Sequence, residues 1–137
     1  MELAIDQRVV IKTTFRTVVQ NADEFVDNFY DKFFELDPDA RKLFHGNIRL
    51  QGEKVMEILT TLVASIDLPT VVVLAVSALG RRHVNYGVQR EQFATLGTAF
   101  LWALEKQLGA AFTPEVRIAW QALYENIAEM AIHAGYE

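Results

Sequence analysis

The sequence predicts an all-α domain of six or seven helices. Three observations carry that prediction. Apolar residues recur at helical spacing over almost the whole chain. The one run of three consecutive valines is Val71-Val72-Val73. Punctuation is sparse, with three prolines and seven glycines in 137 residues and no repeat or low-complexity stretch that would read as a linker. Residues 1–137 are therefore expected to form one domain.

The first helix is expected over about residues 4–19. A second begins near Ala22-Asp23-Glu24, with acids where a helix N-terminus favours them, and places Val26, Phe29, Tyr30, Phe33 and Phe34 inward. Asp37-Pro38 ends it and opens a short helix through Leu43, with Asp37 as N-cap. After a loop around Phe44-His45-Gly46, a long helix is expected from Ile48 to Ile66. Its inner stripe is Gln51, Val55, Ile58, Leu59, Leu62 and Ile66. Leu68-Pro69-Thr70 breaks it, and the next helix sets Val72, Val76, Leu79 and His83 on one face, ending at Gly87. A helix over about 90–108 carries Phe93, Leu96, Gly97, Phe100 and Leu104 and closes at Gly109. Thr113-Pro114-Glu115 reads as N-cap, first-turn proline and first-turn acid. The last helix turns Val116, Trp120, Leu123, Tyr124, Ile127 and Ala131 inward. The stripes are wide, which suits helices crossing at large angles.

Composition narrows the function. The net charge of −5 disfavours nucleic acid, whose binding needs clustered lysine and arginine, and disfavours an anionic membrane surface. With no cysteine there can be no disulfide, thiolate metal site or thiol nucleophile. Asp6, Arg8 and Lys12 interrupt any signal-peptide core. The longest apolar run, residues 68–80, is shorter than the roughly 20 residues a membrane span takes. A cytoplasmic location is expected, and the length leaves no room for a fused flavin or nicotinamide reductase. No dinucleotide fingerprint, phosphate loop, zinc-protease motif or nucleophile elbow occurs.

The informative residues are polar ones inside apolar stripes, because an unpartnered buried hydroxyl or amide costs on the order of 1–3 kcal/mol. His83 falls one turn after Leu79, Gln51 heads the stripe of the long helix, and Tyr30 lies between Phe29 and Phe33. Singly, each has an ordinary explanation: a cation at a helix end, a boundary residue, a core tyrosine bonded to a carbonyl. Taken together they point further. His45 and His133 are not at metal-pair spacing with His83, and a protein-only zinc site wants three or four ligands. One well-placed histidine suits a metal that brings its own ligands, as haem iron does.

At these residues the chain resembles the globin family, over nearly its whole length. The resemblance is carried by Pro38 opening a short helix, by Leu43-Phe44, by the spacing from Gln51 to Lys54-Val55, by LGRRHVNYGV at 79–88 and by FTPEVRIAWQALYENIA at 112–128. It is nearest to bacterial single-domain globins and the globin part of flavohaemoglobins. The resemblance implies a globin fold, six to eight helices around a haem pocket, with haem b as cofactor. It makes His83 the proximal iron ligand and places Phe44 on the haem face. Tyr30 and Gln51 become distal hydrogen-bond donors, with Val55 flooring the pocket. Lys54 and Arg82 become propionate partners. Leu79, Val88 and Phe93 line the proximal side, Phe34 lies deeper, and Tyr86 sits at the haem edge.

These roles imply reversible binding of dioxygen and other diatomic gases at a five-coordinate iron, for carriage, storage or sensing. Two donors beside the ligand imply high oxygen affinity. The alternative is a nitric oxide dioxygenase working with a separate reductase, so whether the protein is an enzyme stays open. Flavohaemoglobins generally support the proximal histidine with a tyrosine and a glutamate. Here Phe93 and Gly135 stand at the matching positions, which favours a ligand binder. His45 is read as a loop residue and His133 as a surface one. Exposed aromatics such as Tyr136, and Trp102 if it lies off the inner stripe, permit a homodimer but do not require one, so a monomer or a homodimer is expected.

Overall fold

The computed structural model describes residues 3–43, 48–85 and 88–136, and for 83–85 and 136 the backbone alone. Among the described residues there are six α-helices and two short 3-10 helices, and no strand. The α-helices are α1 (Ile5–Gln20), α2 (Ala22–Leu36), α3 (Ile48–Ala64), α4 (Pro69–Asn85), α5 (Gln92–Leu108) and α6 (Pro114–Tyr136). The 3-10 helices are Pro38–Leu43, between α2 and α3, and Gly109–Ala111, between α5 and α6.

The helix ends follow local chemistry. The Gln7 side chain accepts from the Ala4 N–H at 3.1 Å and starts α1 one residue later than expected. Thr113 caps α6 by accepting from Val116 N–H through its hydroxyl at 3.3 Å. Asp37 opens the first 3-10 helix with its backbone carbonyl, which accepts from Ala40 N–H at 3.0 Å. Gly109 ends α5 at a φ of 54°. Two boundaries differ from the sequence pattern. α3 stops at Ala64, and Ile66 is buried from the turn that follows. α5 starts at Gln92, because Gln89–Glu91 is a turn held by the Gln92 side chain. The Val71-Val72-Val73 cluster is helical, with Val72 buried and its two neighbours exposed.

The core centres on Trp120, which is fully buried between α1 and α5. Its indole N–H donates to the Thr14 hydroxyl at 2.9 Å, so the one polar atom of the ring is satisfied. Phe100 touches it edge-on, with ring centres 5.7 Å apart, and meets Phe25 and Phe29 in the same manner. The principal helix contacts are α4 with α6 and α2 with α5. On the outside, Arg8 and Lys12 of α1 pair with Asp67 in the turn before α4. The Lys12 ammonium, then Arg8, hold that exposed carboxyl below its usual range.

Candidate functional site

Between α2, α3, α5 and α6 lies an apolar cavity of about 230 Å³. α2 contributes Phe29, Tyr30 and Phe33, and the 3-10 helix contributes Leu43. α3 turns Gln51, Lys54, Val55, Ile58, Leu59 and Leu62 into it. α4 adds Leu79 and Arg82, and Val88 follows. α5 supplies Phe93, Leu96 and Phe100, and α6 supplies Leu123, Tyr124, Ile127 and Ala128. Val55, Ile58, Leu59, Leu79 and Leu96 belong to inner stripes yet are only half-buried, because they border this space.

Tyr30 is the innermost polar group of the α2 wall, at 5 % exposure. Burial pushes its phenol up to about 12, so it holds its proton throughout the physiological range. Phe34 does not line the cavity. It stacks on Tyr30 from behind, with ring centres 5.9 Å apart, and carries the Arg41 guanidinium over its own ring at 4.7 Å. Phe29 flanks Tyr30 at 5.1 Å. The phenol ring thus packs against two aromatic neighbours.

Gln51 reaches the same cavity because α3 crosses α2 closely. A Cβ on Gly52 would lie 2.4 Å from Cγ1 of Val26, a β-branched residue with little rotamer freedom. Glycine at 52 therefore sets the approach of the two helices, one residue from Gln51 and one turn from Tyr30. Gly52 lies at the edge of the inner stripe, and the stripe pattern does not say which helix lies opposite it.

Tyr124 is a cavity residue that the sequence placed inward without a site role. Its hydroxyl donates to the Phe93 carbonyl at 2.7 Å, and its ring stacks on Phe100 with centres 5.7 Å apart. Burial raises its phenol strongly. Gly97 makes room for it, because a Cβ there would meet Tyr124 Cε2 at 2.6 Å. Glycine inside the apolar stripe of α5 was the signal that a large neighbour crosses at that point.

Lys54 and Arg82, one from α3 and one from α4, line the cavity and are exposed. The site therefore combines an apolar body, two inward hydrogen-bonding groups and two cations at its edge. Among the described residues no group of three or more histidine, cysteine or acidic side chains could hold a bare metal ion. The side chain of His83 lies outside the described residues, although its backbone continues α4 one position beyond Arg82. Phe44, His45 and Tyr86 also lie outside them.

The globin family model matches residues 27–131. The chain belongs to the globin family. This globin is 27 % identical over 133 residues to a flavohemoprotein of Bordetella pertussis, an alignment covering 95 % of this chain and 33 % of that protein. It is 29 % identical over 124 residues to a flavohemoprotein of Xylella fastidiosa, covering 88 % and 31 % of the two chains. The globin thus spans about a third of the length of these curated relatives. Its six α-helices, with the short 3-10 helix between α2 and α3, form the family's all-helical fold. No helix among the described residues is long and apolar enough to cross a membrane.

Proposed function

We propose that this globin binds haem b in the cavity and holds a diatomic gas, dioxygen first, on the Tyr30 side. The single observation that carries the reading is a buried phenol and an amide brought to one apolar cavity edged by two cations. That set fits an amphipathic planar group: the apolar walls suit the macrocycle, and Lys54 and Arg82 suit its two carboxylates. Haem, when bound, supplies an iron whose sixth position takes a small gas.

The chain's own residues would then divide as follows. His83 is the proximal ligand, carried by α4 next to Arg82. Leu79, Val88 and Phe93 cover the proximal face and exclude water. Tyr30 donates its proton as a neutral phenol and cannot act as a phenolate at physiological pH, since its pKa stands at about 12. Gln51 adds amide donors from α3, and Val55 one turn on restricts the space beside them. Phe44 on the haem face and Tyr86 at the haem edge are assigned from the family resemblance alone. Donors fixed in an apolar setting act more strongly than in water, so slow gas release and high affinity follow.

A second reading is favoured by one observation, the likeness to proteins named flavohemoproteins over a third of their length. In it the globin is a nitric oxide dioxygenase supplied with electrons by a separate reductase. Phe93 and Gly135, where tyrosine and glutamate would support the proximal histidine, speak for the binder. Addition of hemin to the protein tests the first reading. It predicts saturation at one hemin per chain with an intense Soret band, and reversible oxygen uptake after reduction. A protein that takes up no hemin contradicts both readings. Sustained nitrate production with an added reductase and electron donor would favour the second.

A further inference from the structure

Gln92, the first residue of α5, makes two hydrogen bonds in opposite directions. Its carbonyl oxygen accepts from Gln89 N–H at 2.7 Å, and its amide nitrogen donates to Asp37 Oδ2 at 2.9 Å. The two partners fix which end of the amide points where, because an N–H needs the oxygen and a carboxylate needs the nitrogen. Asp37 and Gln92 are both half-buried and lie 55 residues apart in sequence. Asp37 joins α2 to the 3-10 helix, with cavity residues Phe33 and Leu43 on either side of it in the chain. Gln92 joins the 88–91 turn to α5, with cavity residues Val88 and Phe93 on either side. On the 3-10 helix itself, Arg41 lies over Phe34 and Lys42 pairs with Asp39 at 3.7 Å.

We propose that Asp37 and Gln92 form a clasp that holds two borders of the cavity together and sets how long the cofactor stays in it. The proposal rests on the haem reading above. Both residues are positioning residues and neither touches the cofactor. The tie joins the segment that carries Leu43 to the segment that carries Val88, and both residues line the cavity. The Gln92 amide is a polar tie between them, and a hydrogen bond to a charged partner is about twice as strong as a neutral one.

The experiment measures haem loss from the loaded protein to excess of a haem-scavenging apoprotein, beside the thermal midpoint of the haem-free protein. Gln92→Glu keeps the acceptor for Gln89 N–H but sets a carboxylate against Asp37. It is expected to speed haem loss on the order of tenfold. Asp37→Asn alone keeps an acceptor for the Gln92 amide, and its effect is expected to stay within about threefold. The double variant Asp37→Asn/Gln92→Glu reverses donor and acceptor, and is expected to return the rate to within about threefold of wild type. Equal loss rates in wild type and Gln92→Glu would overturn the clasp while leaving the haem reading intact. So would a double variant that loses haem as fast as Gln92→Glu, or a fall in the haem-free midpoint large enough to account for the faster loss. A wild type that takes up no hemin overturns the haem reading and, with it, the retention role.

Discussion

Tyr124 of α6 donates its hydroxyl to the Phe93 carbonyl of α5 at 2.7 Å, and its ring occupies the notch left by Gly97. The pair fixes how α6 meets the first turn of α5, and so where the Phe93 side chain stands in the cavity wall. Tyr124→Phe is expected to cost about 1 kcal/mol of stability, the net worth of one such bond. Gly97→Ala is expected to cost more, about 1–3 kcal/mol, because a stacked ring must move to admit the methyl group. Urea denaturation of the two variants checks the order. A Gly97→Ala protein as stable as wild type would refute the notch.

The close crossing at Gly52 makes a separate prediction. Gly52→Ala forces α3 from α2 against the stiff Val26 side chain. Stability should fall by about 1–3 kcal/mol, and oxygen should leave the loaded protein faster because Gln51 is carried away from Tyr30. Val26→Ala in the same chain removes the clashing Cγ1 and should recover the slow release. Thermal midpoints and oxygen dissociation rates, read together, check this.

The two proposed distal donors make separable predictions. Tyr30→Phe removes the buried phenol and is expected to speed oxygen release about ten- to a hundredfold, as for loss of a hydrogen bond to a partly charged acceptor. Gln51→Leu removes a half-buried amide and is expected to have the smaller effect, about three- to tenfold. Stopped-flow displacement of oxygen by carbon monoxide measures both. If neither substitution speeds release, the assignment of Tyr30 and Gln51 as ligand donors is wrong.

Alkaline titration reads the burial of the phenols. Tyr30 stands at about 12 and Tyr124 is raised further in the same direction, both by desolvation. Raised phenol pKa values leave stability untouched below pH 10, where folded and unfolded chains are both neutral. Above pH 10 the unfolded chain ionises first, so stability should fall by about 1.4 kcal/mol per pH unit for each group, up to the folded pKa. Absorbance at 295 nm should show both phenols missing from the rise near pH 10 and appearing with unfolding. A Tyr30→Phe protein should retain the full native rise at that pH.

Much of this was legible in the sequence, and the remainder was not for a definable reason. The inner stripes name the residues that border the cavity, from Tyr30 and Gln51 through Val55 and Leu79 to Phe93, because helical period reports which face is inward. Period does not report which helix lies opposite. The Gly52–Val26 crossing, the Tyr124–Phe93 bond and the Asp37–Gln92 tie all join separate elements, and each became visible only with the packing. Phe34 illustrates the same limit: its stripe position is inward, yet Tyr30 stands between it and the cavity. The start of α5 moved from about 90 to 92 because of a side-chain bond that spacing cannot encode.

The central claim is that His83 is the one protein ligand of a haem iron. The most direct test compares optical spectra of the ferric, ferrous and carbonmonoxy forms of wild type with those of His83→Gly, without and with added imidazole. The variant is expected to lose the five-coordinate ferrous spectrum and to hold haem weakly, and added imidazole to restore the wild-type bands. A His83→Gly protein that keeps full haem affinity and an unchanged spectrum without imidazole would contradict it.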